Sequence, residues 1–167
     1  MFLFETERLG LRLLEPSDLE DIMTFWGDEE VMGFCGGPGT RERELRAVGY
    51  YVELQQRRGL SVYGVFEKEY KHMIGACGFN PGETEEEAEL IYHFAKAYWG
   101  KGYATEAAKA CISYARGVQS IERIAASTDP RNVVSGKVLE KLGFQYVGMK
   151  WHEDLQQEEP TYVMRLR

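Results

Sequence analysis

Basic residues are in short supply in this chain. Lys and Arg number 20 against 27 Asp and Glu, a formal charge of −7, which disfavours nonspecific nucleic-acid binding and tolerates a cationic substrate. Cysteine is scarcer still. Cys35, Cys77 and Cys111 are odd in number, widely spread and without metal-ligand spacing, so neither a disulfide framework nor a metal centre is expected. No apolar run approaches the roughly 18 residues of a membrane span. The opening MFLFETERLG reaches acidic residues early and lacks a basic n-region, so no signal peptide is expected and a cytoplasmic protein with reduced thiols is. Internal repeats, low-complexity tracts and linkers are also missing, so a single domain over 1–167 is expected.

What is there is a regular alternation of elements. Leu9, Leu11 and Leu13 alternate with Arg8, Gly10 and Arg12, the period of a half-buried strand. Pro16-Ser17 starts a helix, with Ser17 and Glu20 at capping-box spacing and Ile22, Phe25 and Trp26 on its apolar face. Gly33–Gly39 is a loop by composition, and Thr40 caps a second helix that ends at Arg57-Arg58-Gly59. Strands are expected at Ser61–Phe66 and His72–Phe79, around a charged turn from Glu67 to Lys71. An acidic turn, Glu83–Glu87, precedes a strand at Ala88–Phe94. Ala104, Ala107, Ala108, Cys111, Ile112 and Ala115 then mark a helix with a stripe of small residues. A strand at Ile121–Thr128 leads to a last helix opened by Asn132, with Val134, Val138, Leu139 and Leu142 inward and Gly143 at its end. Two more strands, near Gln145–Trp151 and Thr161–Leu166, flank a polar, acidic stretch. The expected fold class is α+β: a mixed, mostly antiparallel twisted sheet flanked by four helices.

Between the Ala88–Phe94 strand and the helix lies Tyr98-Trp99-Gly100-Lys101-Gly102-Tyr103-Ala104-Thr105-Glu106-Ala107. A strand that turns through two glycines onto a helix N-terminus leaves several unpaired N–H groups aimed at one point, with the helix dipole behind them. Such a turn suits a phosphate or pyrophosphate. It is not a dinucleotide-binding fingerprint, because the third glycine is absent, and no G-x-x-x-x-G-K-[ST] loop occurs anywhere.

Trp99-Gly100-Lys101-Gly102-Tyr103-Ala104 resembles the pyrophosphate loop of the GNAT superfamily of acetyl-CoA-dependent N-acetyltransferases, [RQ]-x-x-G-x-[GA]. Trp99 stands in place of the usual Arg or Gln, as in the RimJ/RimL-type branch. Asn132-Val133-Val134-Ser135 through Leu139-Glu140-Lys141-Leu142-Gly143-Phe144 resembles the C-terminal motif of that branch, N-x-x-S-x-x-[VL]-x-E-K-x-G-F. Thr6-Glu7-Arg8-Leu9 and Ile74-Gly75 with Gly78-Phe79 are similar to its opening and central strands, so the likeness runs from Glu5 to about Met149.

The resemblance implies acetyl-CoA as cofactor and an amine acceptor, either a protein N-terminus or a small molecule. It implies no metal, membrane or nucleic-acid partner. The amides of Gly100, Lys101, Gly102, Tyr103, Ala104 and Thr105 would hold the pyrophosphate, with Lys101 either neutralising a phosphate or simply solvated. The main chain of Tyr92, His93, Phe94 and Ala95 would pair with the pantetheine arm, an N–H near His93 polarising the thioester carbonyl. The His93 ring is either packed or catalytic. Glu89 matches a position that supplies a general base in some members, or is a structural glutamate. Leu139 stands where many members carry a tyrosine acid. Asn132 and Ser135 contact the cofactor, Ser135 also standing as a candidate proton donor to the sulfur, or else they are a helix cap and a first-turn residue. The rival to an enzyme is a noncatalytic acyl-CoA sensor.

Overall fold

A computed structural model describes residues 1–70 and 72–167; Lys71, the last residue of the expected charged turn, lies outside the described residues. The elements run β1 (Phe4–Glu5), β2 (Leu9–Leu13), α1 (Leu19–Met23), α2 (Glu29–Met32), α3 (Arg41–Arg58), β3 (Val62–Glu67) and β4 (His72–Pro81). They continue as β5 (Glu87–Phe94), α4 (Tyr103–Ala115), β6 (Arg123–Ser127), α5 (Val133–Leu142), β7 (Gln145–His152) and β8 (Gln157–Arg165). The strands form one sheet in the order β1-β2-β3-β4-β5-β6-β8-β7. Every neighbouring pair is antiparallel except β5 and β6. Parallel neighbours need a crossover, and α4 supplies it. The parallel ladder is short: Glu87, Ala88 and Glu89 face Arg123, Ile124 and Ala125, and the pairing ends there.

Helices cover both faces of the sheet. On one, Leu14, Ile22, Phe25, Trp26 and Val48 of the α1–α3 side pack on Val62, Met73 and Ala76. On the other, the small-residue stripe of α4 packs on Leu9, Leu11, Tyr63, Val65, Ile74, Cys77 and Phe79. Ala107, Ala108, Cys111 and Ala115 are fully buried, so small side chains let this helix lie close to the strands. None of the described helices is long and apolar enough to cross a membrane.

Four expectations shift. The cap is at Glu15, ahead of the turn that precedes α1, rather than at Ser17: the Glu15 N–H donates to the Asp18 carboxylate at 2.8 Å. Asp18 is recruited there because Arg12 grips it through both Nη1 and Nη2 at 2.9 Å, and a turn at Pro16–Asp18 precedes α1. A fifth helix, α2, is added by Asp28, whose side chain accepts from the Glu30 and Val31 amides. Val134 points outward, 74 % exposed. Five residues before the buried Leu139, it sits about 140° around the helix from that inward side chain. Finally, the second arm of the last hairpin begins at Gln157 rather than Thr161, because Gln157, Glu158 and Glu159 pair with Trp151 and its neighbours despite their polarity.

Candidate active site

Gly100 and Gly102 both adopt left-handed backbone, φ 75° and 79°, where an L side chain costs roughly 1–2 kcal/mol. Nothing lies within 4 Å of a Cβ built on Gly100, and only Arg8 Nη2, at 3.5 Å, approaches one on Gly102. Backbone conformation, not crowding, therefore selects glycine here. The amide ladder of α4 opens with Glu106 donating to the Gly102 carbonyl at 3.1 Å. The amides of Tyr103, Ala104 and Thr105 come before it and have no helical acceptor. A left-handed turn with free amides at a helix start fits a pyrophosphate.

The turn is strapped in place by residues from the far end of the chain. Arg8 Nε donates to Glu106 at 2.7 Å, Arg8 Nη1 donates to the Lys101 carbonyl at 3.0 Å, and the guanidinium lies 4.4 Å from the Tyr103 ring centre. The Tyr103 hydroxyl donates to Glu67 at 2.5 Å. On the other side the Trp99 indole donates to the Phe94 carbonyl at 2.8 Å, tying the turn to the end of β5. The Lys101 side chain is exposed, its ammonium 5.8 Å from the Tyr98 ring centre.

Past Glu89 and Ala125 the two parallel strands no longer pair, and β5 has an open main-chain edge. Which groups face it follows from the pleat. Ala95 donates its amide to Ile74 on the β4 side at 2.9 Å, and the β4–β5 register is unbroken from Gly75 to Pro81. Main-chain groups alternate along a strand, so His93 and Ile91 also turn toward β4. The open edge thus presents Leu90, Tyr92 and Phe94. Of the four residues expected to meet a pantetheine arm, Tyr92 and Phe94 turn their main-chain groups to the open edge, whereas the amides of His93 and Ala95 are directed to β4.

Side chains alternate too. Tyr92 points to the α4–α5 face, where its hydroxyl lies 2.8 Å from Ser135 Oγ. Burial pushes the phenol up to about 12, with the Ser135 hydrogen bond acting the other way. Asn132 caps α5, accepting from the Ser135 amide at 3.1 Å. Leu139 is buried in the core at 1 % exposure, so no hydroxyl comes from that position. A tyrosine hydroxyl is nonetheless present, from β5 instead of the last helix. In the sequence only the main chain of Tyr92 stood out; its hydroxyl meets Ser135 through a partner 43 positions away.

Glu89 and His93 share the opposite face with Ile91. A cavity of about 160 Å³ opens there, walled by Trp26, Met32, Glu44, Tyr51, Ile91 and His93. The Trp26 indole donates to His93 Nδ1 at 3.0 Å, which leaves the proton of the neutral ring on Nε2. Burial depresses His93 to about 4. The Tyr51 hydroxyl donates to Asn80 Oδ1 at 2.8 Å, and its phenol, pushed up to about 12 by burial, feels the charges of both Glu44 and Glu89. Burial also raises the Glu89 carboxyl above its usual range. His152 acts against that shift, and Asp154, Glu87 and Glu159 reinforce it. Asp154 and Glu159 of the hairpin 153–159 thus lie within electrostatic reach of Glu89. Glu87, which also acts on Glu89, pairs with Arg123 at 3.0 Å and holds the start of β5.

Comparison with known proteins gives a consistent set of matches. A family model described as an acetyltransferase (GNAT) domain matches residues 8–145. The chain is 33 % identical over 147 residues to the uncharacterized N-acetyltransferase p20 of Bacillus licheniformis, covering 86 % of this chain and 83 % of that protein. It is 28 % identical over 151 residues to the [ribosomal protein uS5]-alanine N-acetyltransferase of Escherichia coli, covering 86 % and 78 %. Among solved structures, a GNAT-family acetyltransferase from Bacillus anthracis superimposes with a TM-score of 0.85 at 27 % identity, over 99 % of each chain.

Proposed function

Because the chain belongs to the GNAT acetyltransferase family, we propose that it moves the acetyl group of acetyl-CoA to a primary amine by direct attack within a ternary complex. The acceptor is an N-terminal α-amine, as the name of the uS5 relative records for that protein, or a small amine. The observation that carries this reading is the shared opening of three features at one place. The glycine turn, the unpaired edge of β5 and the cavity on the α1–α3 face all meet along a single strand.

When bound, acetyl-CoA supplies an activated acetyl thioester; the rest is work for this chain. The amides at the start of α4 hold the pyrophosphate, and the Arg8–Glu106 strap keeps them aimed. The open main chain of Leu90, Tyr92 and Phe94 takes the pantetheine arm as a neighbouring strand would be taken. The acceptor amine arrives from the opposite face, through the cavity. Glu89, kept more basic than an ordinary carboxylate by burial, removes its proton directly or through water. Tyr92 and Ser135, 2.8 Å apart, return a proton to the departing thiolate. That pair does the work that a tyrosine at the position of Leu139 does elsewhere in the family.

Thermal unfolding with and without saturating acetyl-CoA tests the cofactor half, with Gly102→Val as the control. At a hundredfold excess over Kd, ligand binding stabilises by about 2.7 kcal/mol, a Tm rise of roughly 5–10 °C for a domain of this size. The rise is expected in the wild type and lost in the folded variant. Release of CoA thiol with an amine panel tests the other half. No stabilisation at millimolar acetyl-CoA, or stabilisation without turnover of any amine, refutes the proposal.

A further inference from the structure

Glu44 is a largely buried residue whose carboxylate has no hydrogen-bond or ion-pair partner among the described residues. It sits in the first turn of α3, 6 % exposed, and walls the cavity. Among the described residues no hydrogen bond or ion pair reaches its side chain; the exposed Arg43 is the only cation whose charge acts on it. Burial of an unpaired carboxylate is costly, and chains without a use for one replace or pair it. Here the fold makes room for it. Gly39 carries no Cβ, and one built there would collide with the Glu44 carboxylate.

The neighbours of Glu44 define what would complete it. Trp26, Met32 and Tyr51 give the cavity walls suited to methylene groups, and two of the three offer aromatic faces that attract an ammonium ion. The Tyr51 phenol lies within electrostatic reach of two carboxylates, Glu44 on α3 and Glu89 on β5. Glu44 lines the cavity beside Arg43; Glu89 stands outside the lining, past Tyr51, whose hydroxyl donates to Asn80, the residue paired with Glu89 across β4 and β5. A monoamine satisfies one of these two carboxylates only.

We infer that Glu44 anchors a second cationic centre of the acceptor, so that the preferred substrate is a short-chain diamine. Its far ammonium pairs with Glu44 while its near amine is presented to Glu89. This rests on the proposed acetyl transfer and narrows its acceptor. Glu44 acts on affinity and positioning, and the chemistry stays with the groups around β5.

The test is a calorimetric titration of CoA-saturated full-length protein with diaminobutane and with n-butylamine, in the wild type and in Glu44→Gln and Glu44→Asp. A charge-assisted hydrogen bond at a buried site is worth roughly tenfold to a hundredfold in affinity. The wild type is expected to prefer the diamine by that factor, Glu44→Gln to bring the ratio near one, and Glu44→Asp to retain part of it. In turnover the same loss appears in KM for the diamine rather than in kcat. Thermal stabilisation by acetyl-CoA must survive in Glu44→Gln, showing a folded cofactor site. Equal wild-type affinities, a preference that persists in Glu44→Gln, or binding of neither amine overturns the assignment of Glu44. An absence of acetyl-CoA binding in the wild type refutes the proposed function itself, which separates the two failures.

Discussion

Replacing His93 by Asn removes a titrating group from the centre of the protein while keeping an acceptor for the Trp26 indole. In the wild type the ring accepts that indole proton at 3.0 Å and is held to about 4 by burial, against about 6.5 in an unfolded chain. A depressed histidine favours the neutral form in the folded state. Its contribution to stability is therefore intact above about pH 6.5 and is lost as pH falls toward 4, where the unfolded chain binds a proton that the fold rejects. At about 1.36 kcal/mol per pH unit, the full penalty is about 3 kcal/mol, and about 2 kcal/mol has accrued by pH 5. For a domain of this size that is a Tm loss of roughly 4–8 °C between pH 7 and pH 5. Urea unfolding of wild type and His93→Asn at both pH values measures it. The variant pays a packing cost at both, and the cost cancels in the difference. The variant is expected to lose about 2 kcal/mol less than the wild type on acidification. Parallel losses would refute a neutral His93, and with it the assignment of its proton to Nε2.

Two further outcomes bear on the chemistry. Glu89→Gln is expected to lower kcat/KM by roughly a hundredfold or more and to erase the acidic limb of the pH–rate profile. That limb should lie above the usual carboxylate range, because burial raises this group; an unchanged rate and profile removes Glu89 from the base role. Tyr92→Phe and Ser135→Ala should each reduce kcat at least tenfold with little change in the acetyl-CoA dissociation constant. The double variant should fall short of the sum, since the two hydroxyls share one hydrogen bond. Additive effects would separate them into unrelated roles.

Features written locally in the chain were legible in advance. The period-two leucines of β2, the small-residue stripe of α4, the glycines at 100 and 102 and the Asn132 cap each depend on neighbours a few positions away. Features made by distant partners were not. The cap before α1 was misplaced because Arg12, on a strand, captures Asp18. Val134 was taken as inward from its apolar character, although the helical angle from Leu139 excludes it. Glu44 lies in the run Arg41-Glu42-Arg43-Glu44, which reads as a solvated helix start; only the folded chain shows it buried against Gly39. The Arg8–Glu106 strap joins residues 98 positions apart, and no spacing rule reaches that far. In β5 the pattern gave the strand and its place, but the direction of each main-chain group needed the Ala95–Ile74 bond.

The three-pair ladder between β5 and β6 also sorts the chain by task. Most of the cavity wall assigned above to the acceptor (Trp26, Met32, Glu44, Tyr51) precedes the strand in sequence. The groups proposed for the cofactor, Gly102, Thr105 and Ser135, follow it. Selection on residues 26–51 can therefore retune which amine is accepted while Arg8, which straps the glycine turn, and the starts of α4 and α5 stay unchanged. A family built on this plan can diversify its acceptors while its donor stays the same.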